Sequence, residues 1–589
     1  MNKVISKLLT IKDKYLNENQ FLAILSVFAG LAGGFSAVII KNLVHLIQHL
    51  FKTGYFEEFD HYIYFVLPLI GISLAVIIAK YIVKLPIGHG IPSVLYAISE
   101  TRGYIKRHNM FSSIVTSVLT VGFGGSVGLE GPTVATGAAY GSAIGKAFNL
   151  TYKQVIILLG AASAAAMSAI FKAPLTGVVF AMEVIMIDLT VTSVIPLIIA
   201  SVTAILTSYF FLGTEVIYHF ELKEMFKMID LPYYALLGIL TGLLSVYFTK
   251  VYIYIHKVFS DLNNWVYALL IGGISLGVLI FLFPALYGEG FEIINNALAG
   301  NPDLVFSSSI FSSISDNVYF IIGIMFAVVL FKAFATSITF AAGGVGGIFA
   351  PTLFNGSILG LLFAMVLSQF GIDMSYSNFS LVGMSGAIAG VLQAPLTAIF
   401  LIAEITGGYQ LLIPLMIVSL TSFLTTRIFI KNSVYTHQLS ERGQLLTHHT
   451  DHNILKMMEM TNLIENNFKI VYSGQKLRDL VEAIQESDRN IFPVLDKDDK
   501  FIGMITMPDI RKIIFKTQLY DTIKVDELMV KPIVTILPNE SMNSIASKLH
   551  KTSYYNIPVL DEDGKYLGFV SRANVFSEYR KLLKDFSVD

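Results

Sequence analysis

The sequence predicts an all-α polytopic membrane domain built of two repeats, followed by a soluble α/β module that is itself repeated. Three observations predict it. Hydrophobic residues make up 54% of the 589 and charged residues 14%, where soluble domains run at about 45–50% and about 25%. Apolar runs follow one another from about Phe21 to Ile430 with short polar breaks, and the character of the chain changes after Arg427. Within each part, short motifs recur in the same order.

The first twenty residues carry Lys3, Lys7, Lys12, Lys14, Asp13 and Glu18, without the apolar core and small-residue cleavage site of a signal peptide. They read as a cytoplasmic segment, 1–20, leading into the first span. In the region 21–432, spans are expected over about 21–48, 62–84, 108–122, 153–170, 190–212, 232–258, 266–284, 318–337, 353–370 and 410–430, since a bilayer takes roughly 20 apolar residues per helix. The segments around Gly88, Gly128, Pro174, Gly347 and Pro395 are too short or too rich in glycine to cross. Broken helices at membrane depth are tolerated only where protein or a water-lined cavity surrounds them, so five of them point to a transport pathway. Arg102, Lys106 and Arg107 suit a cytoplasmic face.

Lys172-Ala173-Pro174-Leu175-Thr176 recurs as Gln393-Ala394-Pro395-Leu396-Thr397, each copy continuing to a glutamate, Glu183 and Glu404. Upstream, Gly128-Leu129-Glu130-Gly131-Pro132 is matched at nearly the same offset by Gly347-Ile348-Phe349-Ala350-Pro351. Two related halves follow, about 21–220 and 230–432. Repeat-built transporters place their site near the midplane, where discontinuous helices of both halves aim positive N-termini at an anion. Gly-rich turns entering helices fit an anion better than a cation, which calls for carbonyls and carboxylates.

Glu130 is the most telling residue. A charge in lipid costs roughly 2.5–3.5 kcal/mol even on lenient scales, so it faces a bundle interior or a water-filled path. Flanking glycines allow close backbone approach, and Pro132 suits a first helical turn. Either a transported anion competes with this acid, or a neighbouring cation pairs with it. Lys172, Lys332, Glu183 and Glu404 lie near broken helices and are read as pairing or capping helix ends.

Other classes are excluded. A net charge of -1 argues against nucleic acid. With no cysteine, disulfides, thiolate metal sites and cysteine nucleophiles are absent. His45 and His49 lack the glutamate of a zinc-protease motif. His448, His449 and His452 sit in a polar stretch with nothing rigid to fix a tetrahedral metal site, so no metal is expected.

After a linker, 433–465, the module 466–589 repeats Phe492-Pro493-Val494-Leu495-Asp496 to Gly503 as Ile557-Pro558-Val559-Leu560-Asp561 to Gly568. Each unit has an amphipathic helix, a strand, a polar turn and a second strand.

These residues resemble the CLC family of chloride channels and transporters over nearly the whole chain. The family's Gly-Ser-Gly-Ile-Pro signature stands here as Gly88-His89-Gly90-Ile91-Pro92. Its Gly-Arg/Lys-Glu-Gly-Pro signature is the motif around Glu130, and Gly-x-Phe-x-Pro is intact at Gly347 to Pro351. Tyr409-Gln410-Leu411 matches the segment that supplies a pore tyrosine. The resemblance implies inverted-topology repeats and a homodimer in the lipid bilayer with one chloride pathway per subunit. It implies an anion site at His89, Gly90, Ile91, Gly131, Ile348, Phe349 and Tyr409, gated by Glu130. The tail resembles a tandem CBS pair, in which Thr506 and Asp509 match the residues that hold the ribose of an adenine nucleotide; the second unit has Ser571 and Asn574 instead. The other reading of the tail is a dimerisation module without ligand.

Three departures matter. His89 replaces a serine, either adding an N–H donor that titrates near neutrality or packing as pore wall. Leu129 replaces a basic neighbour of the gating acid. Val184 stands where proton-coupled members carry a second acid, and valine binds no proton. The expected function is therefore a passive chloride channel in the cell membrane with both termini cytoplasmic, needing no cofactor and catalysing no reaction. The alternatives are an exchanger with an atypical proton route and a nucleotide-sensing scaffold with a vestigial pore.

Overall fold

The structure, a computed structural model, describes residues 14–52, 60–85, 87, 90–185, 191–214, 226–262, 264–302, 317–441, 455, 458, 460–552 and 554–587. The chain divides into two compact units, Met1–Leu445 and Leu446–Asp589.

In the first unit, the first half runs α1 Glu18–Lys52, α2 Asp60–Ile77, α3 Ile91–Glu100, α4 Asn109–Gly122, α5 Glu130–Ala147, α6 Tyr152–Phe171, α7 Pro174–Glu183 and α8 Val191–Leu212. The second runs α9 Leu231–Ser260, α10 Trp265–Leu282, α11 Phe291–Leu298, α12 Val318–Ala341, α13 Phe349–Gln369, α14 Tyr376–Val391, α15 Pro395–Ile405 and α16 Leu412–Phe429, and α17 Val434–Glu441 follows. Every expected span is helical. Among the described residues nine helices are long and apolar enough to cross a membrane.

Two well-formed helices, α5 and α14, were not among the expected spans. Both are rich in glycine, alanine and serine, and both are buried along most of their length. A helix that faces only protein needs no greasy surface, and small residues let backbones meet. A Cβ on Gly356 of α13 would lie 2.3 Å from the carbonyl oxygen of Gly383 in α14, and one on Gly383 equally close to that of Gly356. Neither position admits a side chain.

The halves share one packing plan. α1 packs on α6 and α8 as α9 packs on α14 and α16, and α5 lies on α6 as α13 lies on α14. Lys172 and Gln393, at corresponding positions, both take left-handed backbone, φ 57° and φ 56°. Their side chains donate to the carbonyls of Gly213 (2.8 Å) and Ile430 (3.1 Å), each just past the last helix of its own half.

What joins the halves is an exchange of carboxylates. Glu183, ending α7, accepts from the N–H groups of Leu396 (3.0 Å) and Thr397 (2.7 Å) and from the Thr397 hydroxyl (2.7 Å) at the start of α15. Glu404, near the end of α15, accepts from Leu175 N–H (2.9 Å), Thr176 N–H (2.7 Å) and the Thr176 hydroxyl (2.6 Å) at the start of α7. Each short helix is thus capped by the acid of the other half, an arrangement favoured by the positive end of the helix. Hydrogen bonds to a charged group contribute about 1.5–3 kcal/mol each.

In the second unit, β2 Val471–Tyr472, β3 Ile491–Leu495 and β4 Phe501–Thr506 form one sheet, while β1 Ile464–Glu465 joins β5 Asn556–Leu560 and β6 Tyr566–Ser571 in the other. The two copies keep one register, Val494 opposite Gly503 and Val559 opposite Gly568. The stretch expected to be a linker, 433–465, is largely structured where it is described. It begins with α17, which belongs to the first unit, and ends with Met460, Leu463 and β1, which build the core and sheet of the second copy. Asp526 accepts from the Ser473 hydroxyl (2.6 Å) and Gly474 N–H (2.8 Å), and these bonds hold its carboxyl below the usual carboxylate range.

Candidate functional site

Three helices, α3, α5 and α13, begin at a narrow cavity lined by Gly90, Ile91, Gly131, Gly347, Ile348 and Tyr435, with Tyr252 and Phe340 on its wall. The space open to a water-sized body is about 20 Å³, against the roughly 10–15 Å³ that one water requires. It is wide enough for one small species.

α6, α10, α12 and α14 are capped by their own Thr151, Asn264, Asn317 and Ser375. α7 and α15 are capped by the exchanged carboxylates. α3, α5 and α13 start from Gly90, Leu129 and Ile348 without any side-chain cap. α4, α9, α11 and α16 also start without a side-chain cap; what sets this place apart is that three uncapped starts converge on one cavity. Free N–H groups at a helix start, with the partial positive charge of the helix behind them, form an anion site.

The halves meet here by reciprocal backbone bonds, Gly128 N–H to Gly347 carbonyl (2.8 Å) and Gly347 N–H to Gly128 carbonyl (2.7 Å). Thr120 and Thr339 brace the two turns in the same way. The Thr120 hydroxyl oxygen accepts from Val345 N–H (3.1 Å) and that of Thr339 from Ser126 N–H (3.2 Å).

Glu130, the first residue of α5, is 1% exposed. Its carboxylate folds back over the junction. A Cβ on Gly128 would lie 2.0 Å from Glu130 Oε2 and one on Gly347 3.3 Å from it, so glycine at 128 is what lets the acid lie there. The N–H groups of Glu130 and of Ala350, in the first turn of α13, face the carboxylate. Among the described residues no hydrogen-bond partner reaches Oε2. Since Gly347 also lines the cavity, the acid abuts one end of it and sits as an anion would.

Of the residues expected at the site, Gly90, Ile91, Gly131 and Ile348 line the cavity. Phe349 does not; its ring is fully buried against Phe171, with centroids 5.2 Å apart. Gly88 and His89 lie outside the described residues, as do His448, His449 and His452. Val184 follows α7 as a buried residue, 7% exposed. Tyr409 is 50% exposed, in the turn before α16, and does not line this cavity. The tyrosine that lines the cavity together with Tyr252 is Tyr435. It is 5% exposed, and among the described residues no hydrogen-bond partner reaches its hydroxyl. Sequence reasoning missed it because 433–465 reads as polar linker; the signal was a Val-Tyr pair following the last span.

In the tail, Thr506 and Asp509 engage each other, the Thr506 hydroxyl donating to Asp509 Oδ2 at 2.5 Å, and Thr506 N–H at 2.9 Å, in a capping box. In the second copy Ser571 donates to Glu465 (2.5 Å) and accepts from Asn574 N–H (3.1 Å).

Fold and site together define a multi-pass membrane protein with uncapped helix starts from both repeats meeting around one acid. The family model described as voltage gated chloride channel matches residues 70–427, and that of the CBS domain matches 460–516 and 525–581. The chain belongs to the voltage-gated chloride channel (CLC) family and ends in a pair of CBS domains. Chloride channel protein CLC-e of Arabidopsis thaliana is 26% identical over 564 residues, covering 84% of this chain and 76% of that one. The H(+)/Cl(-) exchange transporter ClcA of Yersinia pestis bv. Antiqua is 30% identical over 366 residues, 59% of this chain and 71% of that one. Among solved structures, a slow cyanobacterial Cl-/H+ antiporter aligns with a TM-score of 0.60 at 22% identity, over 73% of this chain and 99% of its own. A eukaryotic CLC transporter aligns at 0.58 and 17%, over 94% and 97%. At these identities the two structures show the fold alone.

Proposed function

We propose that this protein conducts anions, chloride in the first place, as a passive channel gated by Glu130. The anion would be held by the N–H groups starting α3, α5 and α13 and by the Tyr435 hydroxyl. The observation that carries the reading is the Glu130 carboxylate lying against uncapped helix starts of both repeats, where it competes with an anion until protonation or anion arrival displaces it. Val184 supports a channel rather than an exchanger, because a buried valine passes no proton to the gate from that side. Relatives named exchangers favour the second reading, coupled exchange by another proton route. We further propose a homodimer in the cell membrane with both termini cytoplasmic, and no enzymatic chemistry.

The test is the reversal potential in proteoliposomes under crossed chloride and pH gradients. For a channel it follows the chloride gradient alone and is unmoved by a pH gradient. A shift with the pH gradient at fixed stoichiometry would establish exchange.

For the tail we propose weak binding of an adenine nucleotide at Thr506 and Asp509, biasing the gate. Calorimetric titration of the whole protein with ATP, ADP and AMP should give heat that is lost in Thr506→Ala/Asp509→Ala. No heat at millimolar nucleotide would leave a structural module.

A further inference from the structure

We propose that Glu289 is a second acid of the gate, a positioning residue that holds the turn bearing Glu130 and sets by its charge the acidity at which the path opens. The proposal rests on the gate reading of Glu130. Glu289 lies between α10 and α11, and its Oε1 accepts from the N–H of Leu129 at 3.2 Å. Leu129 is the residue that starts α5 and immediately precedes the gate. The contact spans 160 residues of chain. Its sequence signal is a lone acid between glycines, Gly288-Glu289-Gly290, close to the Gly128-Leu129-Glu130-Gly131 setting of Glu130.

The turn that carries Glu289 is held firmly. Gly288 N–H donates to the Gly124 carbonyl (3.2 Å), and the Tyr287 ring packs edge-on against Tyr64, with centroids 5.0 Å apart. Fully buried Lys332 of α12 donates to the carbonyls of Leu286 (3.3 Å) and Gly288 (3.0 Å), with its ammonium 4.7 Å from the Phe354 ring centroid. A buried ammonium held by backbone carbonyls is costly to keep unless acids stand near it.

The charged groups acting on Glu289 come from three packed helices: Glu130 of α5, Lys41 of α1 and Lys332 of α12. Lys41 also acts on Glu130, and Lys172 acts on Lys41. The Lys41 amine donates to the Ile170 carbonyl (2.7 Å), which fixes it in the cluster. Two acids and two amines therefore share one region of low polarity, where charges interact far more strongly than in water. When both acids are ionised they repel, and this favours displacement of the mobile one. Glu289 is fixed by Leu129 and its own turn; Glu130 is the one at the cavity. With leucine at 129, no basic side chain there offsets that repulsion.

Chloride flux through proteoliposomes across a pH series tests this. Removing the neighbouring negative charge in Glu289→Gln, which keeps an oxygen for Leu129 N–H, should move the midpoint of acid opening to lower pH by about one unit. Lys41→Gln removes a positive charge and should move it to higher pH. Glu289→Asp, which keeps the charge and serves where Glu289→Gln fails to reconstitute, should stay near wild type. An unmoved midpoint in Glu289→Gln, a shift of the same sign in Glu289→Gln and Lys41→Gln, or a shift in Glu289→Asp as large as in Glu289→Gln would each overturn the proposal. Glu130→Gln run alongside should flatten the pH response; if it does not, the gate reading itself fails, whatever Glu289 does.

Discussion

Glu130→Ala is expected to raise anion flux at neutral pH on the order of tenfold, the consequence of removing a competitor held by about 1.4 kcal/mol, and to abolish its dependence on pH and voltage. The carboxylate lies against Gly128 and Gly347 with the N–H groups of Glu130 and Ala350 directed at it. On the gate reading it takes the hydrogen bonds and the helix-end potential that an anion would require, so acid and anion would exclude one another. Glu130→Gln separates charge from bulk: the amide keeps the shape but not the charge. Both variants should lose pH dependence, and alanine should conduct more because the plug itself is gone. Flux and single-channel recording across pH and voltage are the measurements. Wild-type pH and voltage dependence kept in both variants would sink the gate assignment.

Tyr435→Phe is expected to weaken chloride binding about five- to tenfold, the loss of one hydrogen bond of roughly 1–1.5 kcal/mol, while Tyr409→Phe leaves it unchanged. The Tyr435 hydroxyl is buried at the cavity without a partner among the described residues, and a buried polar group left unpaired is costly. A bound anion would satisfy it. Tyr409 is half exposed in a turn, where removing a hydroxyl changes hydration only. Chloride isotherms of the solubilised protein, with flux beside them, decide between the two. A loss in Tyr409→Phe and none in Tyr435→Phe would restore the reading from sequence.

Tyr435, which lines the cavity, is not legible as a site residue in the sequence. Hydropathy falls after α16, so α17 reads as linker. A tyrosine that closes a site from a short polar helix leaves no periodic trace. α5 and α14 escaped notice for a related reason: hydropathy detects helices facing lipid, and these face protein.

By itself the sequence determined the ten apolar spans, the Pro-Gly breaks, both sets of repeats and the lone acid at 130, because each is a matter of local composition or of one segment compared with another. It determined that Glu183 and Glu404 correspond. Only the tertiary structure decided that each caps the helix bearing the other, that Gly128 and Gly347 bond across the halves, that β1 completes the sheet of the distant second copy, and that Glu289 reaches Leu129. Those contacts join residues from about 100 to more than 200 positions apart. They exist because each repeat leaves helix starts and sheet edges that it cannot satisfy alone, and buried backbone groups must find partners wherever the fold brings them.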